Sequence, residues 1–311
     1  MPVKKKILLA VDDSVHSKQA VQYAVRMSSF VSELSYTLFN VQPAISQFLT
    51  DEAKTSLKAK FALEKTRKKR KENAEHLLAD YKSQMIRMGI DEKRIETKTL
   101  SQKTGIAKDI LEYAQEGLWD AIVVGRRGLS RAQEIFMGSL TSTLAEHSKL
   151  IPLWIIDGEI SSEKIMIAID GSQSSLRAVD HFSFIASQNP NIKATLLHVV
   201  PGLRDVCEID IEDRDGDIED IFVQGDKKCV DRFLVHAYQK FKEAGIRDDQ
   251  IEIREIKALR NVGKAIAEEA EKEDYGTLII GRRGNSKAFF MGSVSKYVLD
   301  KSADRAVWLV P

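Results

Sequence analysis

Short apolar runs alternate with longer amphipathic stretches along the whole chain. The first run, residues 7–11, holds five apolar residues between charged ones, which is typical of a buried strand. Between residues 20 and 25 apolar residues recur at helical spacing. The polar segment between the two, Asp12-Asp13-Ser14, has side chains that cap helices. The pattern therefore predicts a strand that leads directly into a helix.

The same alternation continues to the end of the chain. In the first half we predict strands at residues 7–11, 37–41, 95–99, 121–124 and 153–156. The intervening helices are predicted at residues 17–31, 51–88, 105–115 and 143–147. In the second half we predict strands at residues 164–169, 194–199, 251–256, 277–280 and 307–310. Because parallel neighbours need crossover connections, this order predicts an α/β fold with helices on both faces of parallel sheets.

The chain is a repeat of itself. Residues 7–14, ILLAVDDS, match residues 165–172, IMIAIDGS, 158 positions later. Residues 125–139, GRRGLSRAQEIFMGS, match residues 281–293, GRRGNSKAFFMGS, which are two residues shorter. We therefore predict two domains, residues 1–158 and residues 159–311.

Three features of each copy should meet at one edge of its sheet. They are the acid that ends the first strand (Asp12 or Asp170), the residue that ends the second strand (Val41 or Val199), and the loop that follows the fourth strand. Ligands of open parallel sheets bind beyond the carboxyl ends of the strands, where the strand order changes direction. This edge is therefore the candidate binding site.

The loop after the fourth strand has the pattern Gly125-x2-Gly128-x9-Gly138-Ser139. Glycines let backbone N–H groups approach an anion, and the N-terminus of the following helix attracts negative charge. Arg126 and Arg127, with Arg131 further along the loop, add cationic groups. A carboxylate across the site suits a ribose hydroxyl or an exocyclic amine, so the site favours a nucleotide. The alternative is that the glycines only form a tight strand-to-helix turn.

The acid after the first strand, the late glycine loop with its Ser and the short last strand resemble the universal stress protein family, here in tandem. The resemblance implies two tandem doubly wound domains, each a five-stranded parallel sheet of order 3-2-1-4-5 flanked by helices. It implies a cytoplasmic stress-response sensor or regulator that binds ATP, AMP or another adenine nucleotide, with or without Mg²⁺. In copy one the implied contacts are Ala10, Val11, Asp12, Val41, Val124, Gly125, Gly128, Gly138, Ser139, Leu140 and Thr141. In copy two they are Ala168, Ile169, Asp170, Val199, Ile280, Gly281, Gly284, Gly292, Ser293, Val294 and Ser295.

The two copies depart from the family pattern at different places. Copy one keeps the x9 spacing but has Asp13 where the family has a small glycine. Copy two has Gly171 there, but its glycine loop is shortened to x7. A shorter loop moves its N–H donors by several ångströms, so we expect copy one to hold the intact site. The alternative is a loop that shortens at its distal turn and leaves both anchors in place.

Composition excludes several classes of protein. A net charge of +1 argues against a nucleic-acid-binding protein driven by bulk charge. No apolar run reaches 18 residues, so we expect no membrane span and no membrane partner. Two cysteines, Cys207 and Cys229, give neither a disulfide scaffold nor a zinc cluster. We therefore expect a cytoplasmic location.

Two charged segments stand out. The basic run at residues 65–71, KTRKKRK, is interpreted as a solvated, salt-bridged helix face, with acidic lipid or nucleic acid as the alternative partner. The acidic segment at residues 205–220 is interpreted as a flexible excursion, and contact between the two segments is a further hypothesis. Trp154 and Trp308 lie on the last strand of each copy. They either belong to a pairing of those edge strands within the chain or only fill the core.

We expect no efficient catalysis. The sequence has no recognisable nucleophile–base–orienter set and no Walker lysine, so at most slow ATP hydrolysis is expected. The first alternative function is a nucleotide-free interaction scaffold of the same fold, and the second is an adenylating enzyme. We expect the two copies to pair as an intramolecular pseudo-dimer, and a homodimer of two chains stays open.

Overall fold

A computed structural model describes residues 4–31, 33–127, 137–200, 216–258, 261–283 and 291–311. By packing, the chain divides into two compact units. Unit 1 comprises Met1–Ser28 and Glu33–His147, and unit 2 comprises Ser29–Ser32 and Ser148–Pro311.

Unit 1 is an alternation of strands and helices. Its strands are β1 (Lys5–Ala10), β2 (Leu34–Gln42), β3 (Ile95–Ser101) and β4 (Ala121–Gly125). Its helices are α1 (Val15–Phe30), α2 (Gln47–Glu52), α3 (Leu57–Arg87), α4 (Ile106–Glu116) and α5 (Ser139–His147). The strands lie in the order β3-β2-β1-β4, and every described pair is parallel. Their fully buried apolar side chains form the core between the two helical layers.

Unit 2 contains the remaining elements. Its strands are β5 (Leu153–Ile156), β6 (Ile165–Ile169), β7 (Ala194–Val200), β8 (Ile251–Lys257), β9 (Thr277–Gly281) and β10 (Ala306–Val310). Its helices are α6 (Gln173–Ala186), α7 (Gly216–Glu243), α8 (Val262–Lys272) and α9 (Ser293–Lys301). The strand order is β5-β10-β9-β6-β7-β8, in which β5 and β10 are antiparallel and the other pairs are parallel.

The predicted fold class is confirmed. Each copy of the repeat contributes five strands in alternation with helices, and the second copy shows the complete order 3-2-1-4-5 as β8-β7-β6-β9-β10. In unit 1 the first copy shows 3-2-1-4, because its last strand, β5, pairs with β10 and packs in unit 2. The domain boundaries at residues 158 and 159 stay a prediction. The two compact units are defined by packing, and packing places β5 with the strands beside it although its sequence belongs to the first copy.

The predicted helix at residues 51–88 is two helices, α2 and α3. Ser56 lies between them, and its side chain accepts a hydrogen bond from the Ala59 N–H at 3.3 Å. A serine in this position satisfies one of the free N–H groups at a helix start, so it begins a new helix instead of continuing the old one. Apolar spacing alone did not reveal this break.

The last strands of the two copies pair through a stacked pair of tryptophans. Trp154 lies opposite Trp308 in the β5–β10 register, and their rings stack with centroids 3.9 Å apart. Both side chains are fully buried. The Trp154 indole N–H donates to Nε2 of His181 on α6 at 3.0 Å. The expected edge-strand pairing is therefore confirmed, and the same tryptophans also fill the core of unit 2.

His181 gives this core a dependence on pH. Burial lowers the pKa of its imidazole to about 3, so the ring is neutral in the folded protein and can accept the Trp154 N–H. In the unfolded chain the pKa returns to about 6.5. The unfolded state then binds more protons between these two pH values, so the free energy of unfolding falls as the pH drops from about 6.5 to about 3.

We expect His181→Gln to flatten this acid loss of stability. The glutamine oxygen can still accept the Trp154 N–H but does not titrate, so the slope should decrease by up to about 1.4 kcal/mol per pH unit. Urea unfolding followed by tryptophan fluorescence at several pH values between 7 and 4 measures the slope. An unchanged slope in the variant would show that His181 is not held neutral in the core.

Candidate functional site

A large cavity opens at the carboxyl edge of the sheet of unit 1. Its volume is about 910 Å³, which lies within the range of small-molecule pockets. The ends of β1, β2 and β4, the start of α5 and parts of α3 and α4 form its walls. Nine of the residues predicted for copy one line it: Ala10, Val11, Asp12, Val41, Val124, Gly125, Gly138, Ser139 and Leu140. The parallel sheet thus brings together residues that are more than 120 positions apart in the sequence.

Two predicted residues of copy one have other positions. Gly128 lies outside the described residues. Thr141 is buried beneath the site, and its hydroxyl donates to the Gly125 carbonyl at 2.9 Å. This bond ties the first turn of α5 to the end of β4, so Thr141 positions the edge of the cavity.

The Asp12 carboxylate is fixed by its own turn. Its Oδ1 accepts hydrogen bonds from the hydroxyls of Ser14 at 2.5 Å and Ser17 at 2.6 Å, and from the Ser14 N–H at 3.2 Å. The Asp12 N–H donates to the Ser17 hydroxyl oxygen at 2.9 Å. Oδ2 accepts no hydrogen bond from a described residue, so one carboxylate oxygen is held in place while the other is available to a ligand.

The start of α5 supplies another part of the cavity wall. The Gly138 N–H donates to the Arg126 carbonyl at 2.9 Å, and the Ser142 N–H donates to the Gly138 carbonyl at 2.9 Å. The N–H groups of residues 139–141 precede the first helical hydrogen bond and have no acceptor within the helix. With the helix dipole they form an end that favours an anion.

The two described arginines of the loop, Arg126 and Arg127, are not among the residues that line the cavity. Arg126 is buried. Arg131 lies outside the described residues. Asp13 is exposed just before α1 and also lines the cavity.

Packing alone explains why the fourth strand of each copy ends in glycine, and no ligand is needed to account for it. A Cβ at Gly125 would lie 2.6 Å from the backbone carbon of His16 in α1, and a Cβ at Gly281 would lie 2.8 Å from that of Ser174 in α6. Only glycine lets these helices approach the strand ends so closely. The turn interpretation therefore accounts for this position in both copies, and the case for a ligand depends on the polar groups.

Helix α3 forms a wall of the cavity that sequence reasoning missed. Arg70, Asn73, Ala74, His76, Leu77 and Asp80 line it. The Tyr81 hydroxyl donates to the Asp12 carbonyl at 2.9 Å, and the Arg70 guanidinium donates to the Pro43 carbonyl at 2.5 Å. Burial and the charges of Asp12 and Asp13 raise the pKa of Tyr81, which keeps it a hydrogen-bond donor. The apolar stripe on this helix was visible in the sequence, but nothing there indicated which strand end it faces.

Copy two keeps both anchors of its shortened loop. The Gly292 N–H donates to the Arg282 carbonyl at 3.0 Å, and the Ser295 hydroxyl donates to the Gly281 carbonyl at 2.7 Å. These bonds repeat those of Gly138 and Thr141 in copy one. The geometry thus supports the alternative in which the loop shortens between its anchors.

The polar groups around the first-strand acid differ between the copies. Asp170 is exposed, and among the described residues it accepts one hydrogen bond, from the Ser172 N–H at 3.0 Å. Ser175, the counterpart of Ser17, donates instead to the Ser172 carbonyl at 2.9 Å. Copy two therefore lacks the hydroxyl bonds that hold the carboxylate of copy one in place.

His198 packs at the junction of the first and second strands of copy two. It is buried, and its Nδ1 lies 3.2 Å from the Ile169 carbonyl oxygen. Asn40 in copy one makes the equivalent contact, since its amide donates to the Val11 carbonyl at 2.8 Å. Both side chains join the end of the second strand to the end of the first.

The other residues predicted for copy two lie at the corresponding strand and helix ends. Ala168, Ile169, Val199 and Ile280 are in β6, β7 and β9, and Gly292, Ser293, Val294 and Ser295 are at the start of α9. Gly284 lies outside the described residues. A cavity of about 330 Å³ lies between the first turn of α6 and α7, and it is lined by Gly171, Ser172, Gln173, Leu176, Lys228, Cys229, Arg232, Phe233 and His236. The residues predicted for copy two do not line this smaller cavity.

Two kinds of feature are absent from the residues that the structure describes. Within these ranges no helix has the length and apolar character needed to cross a membrane. Among the same residues no three His, Cys, Asp or Glu side chains are arranged to hold a metal ion.

Comparison with known proteins agrees with this architecture. The model of the universal stress protein family matches the chain twice, over residues 4–157 and 161–311. A universal stress protein from Archaeoglobus fulgidus DSM 4304 has 17% identity and a TM-score of 0.65, covering 98% of this chain and 97% of that one. A protein of unknown function from Pseudomonas aeruginosa PAO1 has 13% identity and a TM-score of 0.59, covering 99% of this chain and 93% of that one.

A shorter match involves about half of the chain. A universal stress protein solved in complex with cAMP has 24% identity and a TM-score of 0.35, covering 48% of this chain and 96% of that one. No curated protein matches the chain by sequence. On the double match to the family model, which spans nearly all its residues, the chain belongs to the universal stress protein family as a tandem member.

Proposed function

We propose that unit 1 binds an adenine nucleotide in the cavity at the carboxyl edge of its sheet, and that the chain acts in the cytoplasm as a sensor or regulator in the stress response. The observation that carries the proposal is the polarity of the cavity. A fixed carboxylate, Asp12, follows β1, the N-terminus of α5 with Ser139 follows β4 along the chain, and both line the cavity. This polarity suits a ligand with hydroxyl or amine groups at one end and phosphates at the other.

The residues present fit such a ligand. Oδ2 of Asp12 would accept hydrogen bonds from ribose hydroxyls, and the apolar Val41, Ile106 and Ile110 would contact the base. The free N–H groups at the start of α5 and the Ser139 hydroxyl would hold the phosphates. A Mg²⁺ ion, where one accompanies the nucleotide, would be held by phosphate oxygens. ATP, AMP and cyclic adenine nucleotides all carry these groups.

The proposed role is sensing, with at most slow ATP hydrolysis. His76 and Asp80 line the cavity and approach to 3.4 Å, one turn apart on α3. Their side chains are 80% and 73% exposed. Water competes for the hydrogen bonds of side chains this exposed. His76 and Asp80 are therefore poorly organised to act as a general base and its partner.

A nucleotide-free interaction scaffold is the second candidate function. The close approach of α1 to Gly125 favours it, because packing alone requires that glycine. The two functions differ in whether purified protein carries or takes up nucleotide.

We expect protein purified under native conditions to release about one adenine nucleotide per chain on denaturation. Asp12→Asn should weaken binding about tenfold, because the amide keeps the acceptor for Ser14 and Ser17 but loses the charged oxygen for the ribose. Asp170→Asn is the matched control and should leave affinity within about twofold. Chromatography of the released ligand and titration calorimetry measure both quantities.

Two other results would change the proposal. A loss of binding in Asp170→Asn and not in Asp12→Asn would place the site in copy two. No released nucleotide, together with no thermal shift on adding ATP, AMP or cAMP, would favour the scaffold.

A second prediction tests the fixing of Asp12 by its own turn. We expect Ser17→Ala to lower nucleotide affinity about three- to tenfold, because the freed carboxylate must be ordered when the ligand binds. Ser175→Ala removes a hydroxyl from the matching position of copy two, where it does not contact the acid, and should have no effect on affinity. Equal affinities of the two variants would show that the Ser17 bond does not organise the site.

A further inference from the structure

The first half of α3 extends past the end of the sheet of unit 1. Tyr81 contacts Asp12, two residues after β1, and Arg70 contacts Pro43, which follows the end of β2. Because α3 runs back from β2 to the parallel β3, its residues 57–69 lie beyond Pro43. At 1.5 Å per residue they form about 20 Å of helix outside the sheet. We call residues 47–71, which contain α2 and this part of α3, the basic arm.

The basic arm exposes large apolar side chains. Leu57 and Phe61 are 76% and 70% exposed, and Phe48 on the neighbouring α2 is 75% exposed. Leu57 and Phe61 are four residues apart and therefore lie on one face of the helix. Of the side chains at 57–69, Leu63 is the one that is buried. Two apolar side chains this exposed indicate a surface that binds a protein partner or a membrane.

The same segment carries an unusual charge. Residues 47–71 contain seven lysines, two arginines and three acids, a net charge of +6, although the whole chain has +1. Within the described part of the chain, Lys54 pairs with Asp51 at 2.7 Å, Lys68 with Glu72 at 3.8 Å and Lys71 with Glu75 at 3.7 Å. All three pairs are exposed, so they contribute little.

The other cations do not form the salt-bridged face that the sequence suggested. No ion pair with a described residue is formed by Lys58, Lys60, Lys65, Arg67 and Lys69. Within the basic run at residues 65–71, Lys68 and Lys71 are therefore ion-paired, while Lys65, Arg67 and Lys69 are exposed to solvent.

We propose that the basic arm docks the protein reversibly on an anionic lipid bilayer. A helix that presents Leu and Phe among lysines can insert its apolar side chains at the headgroup boundary while its charges meet anionic lipid. Lysines outnumber arginines seven to two, and a lysine is a point charge without the planar fork that reads phosphate or base edges. The apolar side chain of Leu57 would also make no favourable contact with the phosphate backbone of a nucleic acid. A lipid surface therefore fits the arm better than a nucleic acid does.

This docking departs from the expectation that the chain has no membrane partner. That expectation rested on the absence of an apolar run long enough for a membrane span. Docking at the surface requires no such run, and it does not depend on nucleotide binding by unit 1.

The test uses the full chain and vesicles of phosphatidylcholine with and without phosphatidylserine. We expect flotation with the anionic vesicles at low salt, and a loss of at least about tenfold in the partition coefficient in Leu57→Ser/Phe61→Ser. The matched control is Leu150→Ser/Val235→Ser, which removes two apolar side chains of similar exposure outside the arm. Circular dichroism and thermal melting show that both variants fold.

A second variant separates charge from apolar contact. We expect Lys58→Gln/Lys60→Gln/Lys65→Gln to lower partitioning at least about tenfold at low salt and to weaken its salt dependence, since six of the nine cations of the arm remain. No binding to anionic vesicles, or equal binding to vesicles of phosphatidylcholine alone, overturns the proposal. RNA binding that the lysine variant loses and Leu57→Ser/Phe61→Ser keeps, without any flotation, would assign the arm to nucleic acid instead.

Discussion

All described strand pairs of unit 1 run in the same direction, and this constraint determines where its candidate site can lie. Parallel neighbours cannot be joined by tight turns, so each connection crosses a face of the sheet and the next strand starts from the same edge. The carboxyl ends of β1, β2 and β4 therefore meet. Between β1 and β4 the strand order changes direction, and the cavity opens there. The chemistry of the site then depends on the few residues that follow each strand.

The sequence predicts the framework well, because strands and helices have local signatures and the repeat shows each signature twice. Apolar runs located every strand, and the acid and glycine positions located the cavity edge. The wall formed by α3 depends on a contact between distant segments and could not be predicted, because its residues reach the site through the packing of Tyr81 against Asp12. For the last strands the sequence left open an edge pairing or a core role, and the stacking of Trp154 on Trp308 combines the two.

The two copies show which parts of the framework tolerate change. The bonds that join the glycine loop to its strand are the same in both, although two residues are missing between them in copy two. The hydroxyl bonds to the first-strand acid are present in copy one, while in copy two the serine turns to its own helix. Backbone anchors were retained where the fold needs them, and the side-chain bonds that order the acid differ. Duplication thus left one copy with the more organised carboxylate.

A single helix, α3, carries both the wall of the cavity and the basic arm. A helix transmits displacement along its length, so a shift of the arm on a surface also moves Arg70 and Tyr81 relative to Pro43 and Asp12. Thermodynamic linkage makes such an effect reciprocal: if docking changes the affinity of the cavity by some factor, filling the cavity changes docking by the same factor. In a chain built this way, the concentration of a small molecule would change the fraction of the protein that lies on a membrane surface.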